Sequence, residues 1–343
     1  MKFRPELGSD PGSSLIIAPQ WIGDAVMTEP LLRRLHARGE RLTVGALPWV
    51  APVYRAMPHV SEVIEFPFQH GGLQLKARRS IARQVAGRFD TAYVLPNSLK
   101  SALLPFLAAI PKRVGYLGEA RVGLLTHRLG NPKNKPPMVA FYSALSGDRQ
   151  GLESDRPQLR LSAPEVMAAQ RAQGLEPEGF FVFAPGAEFG PAKRWPALHF
   201  AALARLLDRP VVLLGSAKER ALCEEIEAGA PGKCINLAGE TALAQAFALI
   251  AGASAVISND SGLMHVAAAF GVRQVALFGS SSPLHTPPLN ELARVLWLKA
   301  DAAYQPPLDC SPCFQRECPL GHTRCLNDLA PQQVLSALVA LRS

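Results

Sequence analysis

The residues best able to do chemistry lie in short runs of glycine, small hydroxyls and charge. The sharpest run is Asn259-Asp260-Ser261-Gly262, with His265 close behind. Glycine lets a ligand approach the backbone, and a helix starting at such a run aims free N–H groups at a phosphate. A paired cation, Lys193-Arg194, ends another run that opens at Pro185-Gly186 and includes Glu188. The ligand these fit is a diphosphate. Neither G-x-G-x-x-G nor G-x-x-x-x-G-K-[ST] occurs, and no D-x-D is present to hold a divalent ion. Charge neutralisation then falls to Lys193, Arg194 and backbone N–H groups. A plainer reading stands beside this one. Asp260 or Ser261 caps the following helix, and Lys193 and Arg194 are ordinary surface cations.

Two further sites stand out. Asp24 closes the run Trp21-Ile22-Gly23-Asp24. It is either a first-turn carboxylate favoured by a positive helix end, or a general base for an attacking hydroxyl. Cys310-x2-Cys313-x4-Cys318-x6-Cys325, with His322 between the last two, clusters four of the six cysteines. These are either ligands of a structural zinc that pins the C-terminal helix, or reduced cysteines in a compact loop. The predicted chemistry at Asp24 and Lys193 needs no cofactor in either case.

The elements that must position these residues follow from short β-branched runs alternating with helical stretches. Strands are expected at 15–18, 42–46, 63–66 and 91–95, with a helix around 73–85. Met27, Leu31 and Leu35 share one helical face, and Pro30 is tolerable there only in a first turn. The rhythm restarts with strands at 180–184, 211–214, 235–237, 255–258 and 274–278. Helices begin near Pro196, Ala217, Thr241 and Ser261, and the chain closes with a helix at 331–341. This is the βαβ pattern of two parallel, doubly wound sheets, whose ligands bind at the carboxyl ends of the strands. The turns there hold Glu188, Lys193 and Arg194, then Gly215, Ser216 and Glu219, then Thr241, then Asp260 to His265, then Gly279 to Ser282.

The 343 residues, 48% hydrophobic and 19% charged, suffice for two packed cores and exclude a disordered chain. The longest apolar run, 102–110, is too short to span a bilayer, and no apolar stretch before Leu15 forms a secretory signal, so a cytoplasmic protein is expected. Residues 1–150 hold 20 Lys/Arg against 10 Asp/Glu, a net of +10, while residues 151–343 hold 16 against 18, a net of −2. Such asymmetry suits a polyanionic partner, or simply a solvated basic surface. Aromatics are only 7% and no RNP-type pattern occurs, which argues against a nucleic-acid binder.

W-I-G-D (21–24), Y-V-L-P-N-S-L-K-S-A-L (93–103), P-G-A-E-F-G-P-A-K-R-W (185–195) and S-N-D-S-G-L-M-H-V-A-A-A (258–269) together resemble the ADP-heptose:lipopolysaccharide heptosyltransferases of glycosyltransferase family 9, most closely the heptosyltransferase II branch. The resemblance runs from about Leu15 to the C-terminus. It implies an α/β GT-B fold, two Rossmann-like doubly wound domains facing each other across a cleft. It also implies an inverting transfer of L-glycero-D-manno-heptose from ADP-heptose onto the first heptose of heptosyl-Kdo2-lipid A. An alternative within the family is another acceptor, of the I or III type. A non-catalytic nucleotide or polyanion binder and a nucleotide-sugar epimerase are the readings from other classes. The family's catalytic aspartate falls on Asp24 and its diphosphate lysine on Lys193. Its D-[ST]-G-x-x-H motif falls on Asp260, Ser261, Gly262 and His265, its ribose-binding glutamate on Glu219 and an adenine-side contact on Thr241. Lys100, Lys112, Arg113 and Arg121 are expected on the face that meets the anionic acceptor, with the enzyme peripheral at the cytoplasmic face of the inner membrane. The domain plan is a disordered tail at 1–14, an acceptor-binding domain at 15–160, and a donor-binding domain at 161–343 that carries the Cys-rich segment 310–325. Two departures from the family pattern are the long lead before Leu15 and Gln20 in place of a small residue.

Overall fold

The apolar runs are short and continuous rather than alternating, the pattern of strands covered on both faces. In the computed structural model, which describes residues 12–69, 72–134, 136–152 and 154–341, they form two all-parallel sheets. The chain divides into two units, Met1–Asp155 and Arg156–Ser343, slightly before the expected boundary at 160.

In the first unit the strands are β1 (Ser13–Ile17), β2 (Arg41–Ala46), β3 (Val60–Glu65), β4 (Thr91–Val94), β5 (Lys112–Tyr116) and β6 (His127–Leu129). Their order across the sheet is β3-β2-β1-β4-β5-β6. The helices are α1 (Ile22–Met27), α2 (Glu29–Ala37), α3 (Ala51–Arg55), α4 (Leu75–Val85), α5 (Leu99–Leu107) and α6 (Met138–Ser143). Leu15, Ile17, Ile81, Val85, Val94 and Ala102 pack one face of this sheet. The order reverses between β1 and β4, so the crevice of this unit opens beyond the carboxyl ends of those strands.

The second unit repeats the design. Its strands are β7 (Phe181–Ala184), β8 (Val211–Leu213), β9 (Cys234–Asn236), β10 (Ala255–Asn259), β11 (Gln274–Phe278) and β12 (Ala293–Trp297), ordered β12-β11-β10-β7-β8-β9. The helices are α7 (Ala163–Ala172), α8 (Ala197–Leu206), α9 (Arg220–Gly229), α10 (Leu243–Ala251), α11 (Gly262–Ala269), α12 (Arg324–Asn327) and α13 (Pro331–Val339). Phe181, Phe183, Trp195, Phe200, Leu213 and Ile226 are fully buried in its largest core cluster. The switch point lies between β7 and β10. Two Rossmann-like units, as expected, make up the molecule.

Several local expectations change. Of the tail expected to be disordered, residues 1–11 lie outside the described residues, while Ser13 and Ser14 belong to β1. Their polar side chains are accommodated because the Ser13 hydroxyl donates to the Arg88 carbonyl and the Ser14 hydroxyl to Glu40 Oε2 at 2.6 Å. The single helix through Met27, Leu31 and Leu35 is two helices that meet at Thr28, whose hydroxyl donates to the Ala25 carbonyl at 2.7 Å. Pro30 falls in the first turn of α2, where its missing N–H costs nothing. Three edge or near-edge strands, β5, β6 and β12, have weak apolar runs and escape a reading by periodicity.

Candidate active site

In the second unit the loops after β7 and β10 leave the sheet side by side at the switch point. Asn259 ends β10, fully buried. Its Oδ1 accepts the Trp195 backbone N–H at 3.0 Å and its Nδ2 donates to the Pro185 carbonyl at 2.7 Å. Both ends of the β7 loop are thereby pinned. Trp195, itself fully buried, donates its indole N–H to the Leu329 carbonyl at 2.8 Å and anchors the loop to the α12–α13 corner. The residue between these anchors, Lys193, places its ammonium 2.5 Å from Asp260 Oδ2, with 18% of the lysine and 6% of the aspartate side chain exposed.

The plainer reading of this motif does not hold. Ser261 stands at the N-cap of α11, yet its side chain makes no cap hydrogen bond, and its buried hydroxyl has no partner. Asp260 turns toward Lys193 instead. Helix α11 therefore opens at Gly262 with no side chain on its first N–H groups, and those groups and the helix dipole favour an anion. His265, one turn in, is buried. Burial pushes its imidazole pKa down to about 4, against the raising effect of Asp260 and with the lowering effect of Lys193, so it is neutral at pH 7.

A second group lies on the same carboxyl edge, around the loop after β8. Ser216 donates its backbone N–H to Glu219 Oε2 at 2.7 Å and its hydroxyl to the same oxygen at 3.1 Å, a reciprocal cap on the short helix there. A Cβ on Gly186 would lie 1.7 Å from Glu219 Oε1, and one on Gly215 would be 3.1 Å from the Glu219 side chain. A side chain at 186 would displace the Glu219 carboxylate from this position. Glu188 is exposed and pairs with Lys218 at 3.2 Å. Thr241 follows β9 ahead of α10. Arg194 turns back into its own loop, toward the Ala187 carbonyl at 3.4 Å, and does not join the Lys193–Asp260 pair.

In the first unit Asp24 sits in the first turn of α1, just past β1. The buried Tyr142 phenol of α6 donates to Asp24 Oδ1 at 3.3 Å. Burial, then the Asp24 and Tyr54 charges, hold the Tyr142 pKa well above its ordinary value, so it remains a donor. Exposed Trp21 precedes α1, and exposed Trp49 donates its indole N–H to the Gln20 carbonyl at 3.0 Å, which ties down the loop ahead of α1.

The four cations expected on the acceptor face separate. Lys100 lies in the first turn of α5, on the same carboxyl edge as Asp24. Lys112 and Arg113 begin β5, whose register pairs Lys112 with Thr91 at the start of β4, so both lie at the opposite, amino edge. Arg113 also donates to the Leu124 carbonyl at 2.7 Å and the Ile110 carbonyl at 2.6 Å. Arg121 is 0% exposed. Its guanidinium donates to the Pro96 carbonyl at 2.6 Å, to Asn97 Oδ1 at 3.2 Å and to the Tyr116 carbonyl. Burial lowers its pKa, and its work is to hold the loop after β4. Lys112 and Arg113 thus lie at the edge opposite Asp24, and Arg121 is buried with its guanidinium hydrogen-bonded.

The four cysteines offered either as zinc ligands or as reduced thiols in a compact loop come together. Cys310, Cys313, Cys318 and Cys325 line one small cavity with His322 and Ser280, of about 20 Å³. Among the described residues, however, no group of three or more His, Cys, Asp or Glu is arranged to hold a metal ion. Against the raising effect of burial, backbone N–H groups of Thr323, Leu320 and His322 face the Cys318 sulfur and lower its pKa. Burial, followed by the three neighbouring cysteines, pushes the Cys325 thiol pKa up to about 11. Asn259, Trp195 and Tyr142 are the residues the sequence reading left unassigned, although Asn259 and Trp195 lie inside the quoted motifs.

With this geometry in hand, comparison places the chain. Residues 78–324 match the family description of glycosyltransferase family 9 (heptosyltransferase). Lipopolysaccharide heptosyltransferase 2 of Escherichia coli (strain K12) is 42% identical over 355 residues, covering 95% of this chain and 97% of that protein. Its counterpart in Salmonella typhimurium is 42% identical over 357 residues, covering 96% and 98%. The solved structure of E. coli ADP-heptose lps heptosyltransferase II superposes with a TM-score of 0.83 at 40% identity, covering 96% of this chain and 98% of that one. The chain belongs to glycosyltransferase family 9, the heptosyltransferases.

Proposed function

We propose that this enzyme transfers L-glycero-D-manno-heptose from ADP-heptose to the first heptose of heptosyl-Kdo2-lipid A, with inversion at the anomeric carbon. The observation that carries the reading is the Lys193–Asp260 pair beside the uncapped start of α11, an anion site at a sheet switch point. The donor diphosphate lies there. Its negative charge draws Lys193 partly from Asp260, and the α11 N–H groups take the remaining oxygens. Glu219, held by Ser216 beside Gly186, accepts from the ribose hydroxyls, with Thr241 on the adenine side.

In the transfer, Asp24 removes the proton from the acceptor hydroxyl as that oxygen attacks the anomeric carbon. The bond to the diphosphate oxygen breaks on the opposite face. Lys193 and the α11 amides stabilise the charge that builds on ADP, and the proton remains on Asp24 until solvent removes it. Tyr142 holds one oxygen of that carboxylate and so sets its plane. The choice of acceptor is supported by the likeness along nearly the whole chain to proteins named heptosyltransferase 2.

The enzyme works on an amphiphilic acceptor from the cytoplasmic face of the inner membrane. It is held there by charge. Among the described residues no helix is long and apolar enough to cross a membrane, and the excess of basic residues lies in the first 150. The decisive experiment offers ADP-heptose with Kdo2-lipid A or with its mono-heptosylated form to the purified protein. Transfer to the second alone is expected. Transfer to the first would reassign the acceptor, and no transfer to either would sink the reading.

A further inference from the structure

The Cys-rich segment has so far no part in the reaction, yet it is tied to the donor edge at two loops. The Phe314 N–H donates to the Ser280 carbonyl at 2.7 Å and the Ser311 hydroxyl to the Gly279 carbonyl at 2.7 Å, which binds the loop after β11. At the β7 loop, the Ala192 N–H donates to the Arg316 carbonyl at 3.0 Å. A Cβ on Gly190 would lie 2.4 Å from that same carbonyl, so the two backbones approach as closely as only glycine permits. This contact delivers a side chain. The Arg316 guanidinium lies 5.3 Å from the centre of the Phe189 ring, and the Lys193 ammonium lies 5.3 Å from the same centre.

Two cations share one exposed ring. Lys193 has Asp260, but Arg316 is exposed and makes no ion pair among the described residues. Glu317, next to Arg316 in the chain, likewise makes no ion pair among the described residues. Glu188 pairs with Lys218, and Glu219 is held by Ser216. Mutual repulsion of like charges is relieved when an anion sits between them, and the planar guanidinium suits two phosphate oxygens at once.

We propose that Arg316 is a donor-binding residue that completes, with Lys193, a two-cation clamp on the diphosphate of the sugar nucleotide. The inference rests on the donor-site reading above. In this arrangement the Cys-rich segment is the arm that carries Arg316 to the β7 loop, through a backbone contact that does not depend on the arginine side chain.

The test is titration of ADP and of AMP into the intact protein and its Arg316→Ala, Arg316→Lys and Lys193→Ala variants, with donor KM and thermal midpoints. Arg316→Ala should weaken ADP about tenfold, the loss of one charge-assisted contact, and AMP much less. The ADP-to-AMP affinity ratio therefore shrinks while the thermal midpoint holds. Arg316→Lys should fall between, since it keeps the charge and loses the fork. If ADP binds Arg316→Ala as it binds wild type while Lys193→Ala has lost it, the clamp is wrong and the donor site stands. Equal loss of ADP and AMP with a lowered midpoint would make Arg316 a structural residue and also overturn the proposal. Undiminished ADP binding by Lys193→Ala would remove the donor-site reading and this inference together.

Discussion

At the scale of single residues, the proposed role of Asp24 as a general base is tested together with the phenol that holds it. A carboxylate that merely complements the α1 dipole needs no buried donor, yet Tyr142 is brought from a distant helix to hold Oδ1. Asp24→Ala should lower turnover by about two to four orders of magnitude, the range for loss of a general base, while ADP affinity stays within about twofold. Tyr142→Phe keeps the ring and removes one hydrogen-bond donor from the carboxylate. The carboxylate then becomes easier to protonate, so the acidic limb of the kcat profile should move to higher pH, with the donor KM unchanged. An unmoved limb, measured beside an inactive Asp24→Ala, would reduce Tyr142 to packing. The motif that ends at Asp24 was legible in the sequence because it is local. Tyr142 was not, because nothing in M-V-A-F-Y-S marks which tyrosine turns inward.

Among the elements, the β7 loop is the part whose shape depends most on one side chain. Asn259 satisfies a buried N–H at Trp195 and a buried carbonyl at Pro185. Asn259→Ala strands both groups and should cost roughly 2–4 kcal/mol in denaturant unfolding, and the loosened Lys193 should raise the donor KM more than it lowers kcat. Unchanged stability and KM together would show that the loop holds its shape without the clamp. The strands that position this loop were readable as apolar runs, β7, β8, β10 and β11 to within a residue of their ends. Strands such as β6, His127–Leu129, were not, because a three-residue edge strand carries little apolar periodicity and owes its place to the ladder beside it. The helix start at Ser162 was equally available. Its S-x-x-E capping box lies at the start of the second expected domain, ahead of the first strand expected there.

For the whole molecule, the split of charge, +10 in residues 1–150 against −2 in the rest, belongs to neither site alone. It predicts binding to anionic vesicles that weakens as salt rises and is nearly absent on neutral vesicles, read by co-sedimentation. Salt-insensitive binding, or equal binding to neutral vesicles, would remove charge as the attachment. The sequence by itself determined the two parallel α/β units, the motifs at Asp24, Lys193 and Asp260–His265, and this imbalance, because each rests on residues adjacent in the chain or on period and composition. Only the tertiary structure decided where each charge lies and what it meets. Lys112 and Arg113 fall at the amino edge through strand register, and Arg121 is buried under a loop. The cysteines gather around one small cavity, and Lys193 meets an aspartate far along the chain. Those outcomes depend on partners distant in sequence, and neither a residue's type nor its neighbours specify which distant group it will meet.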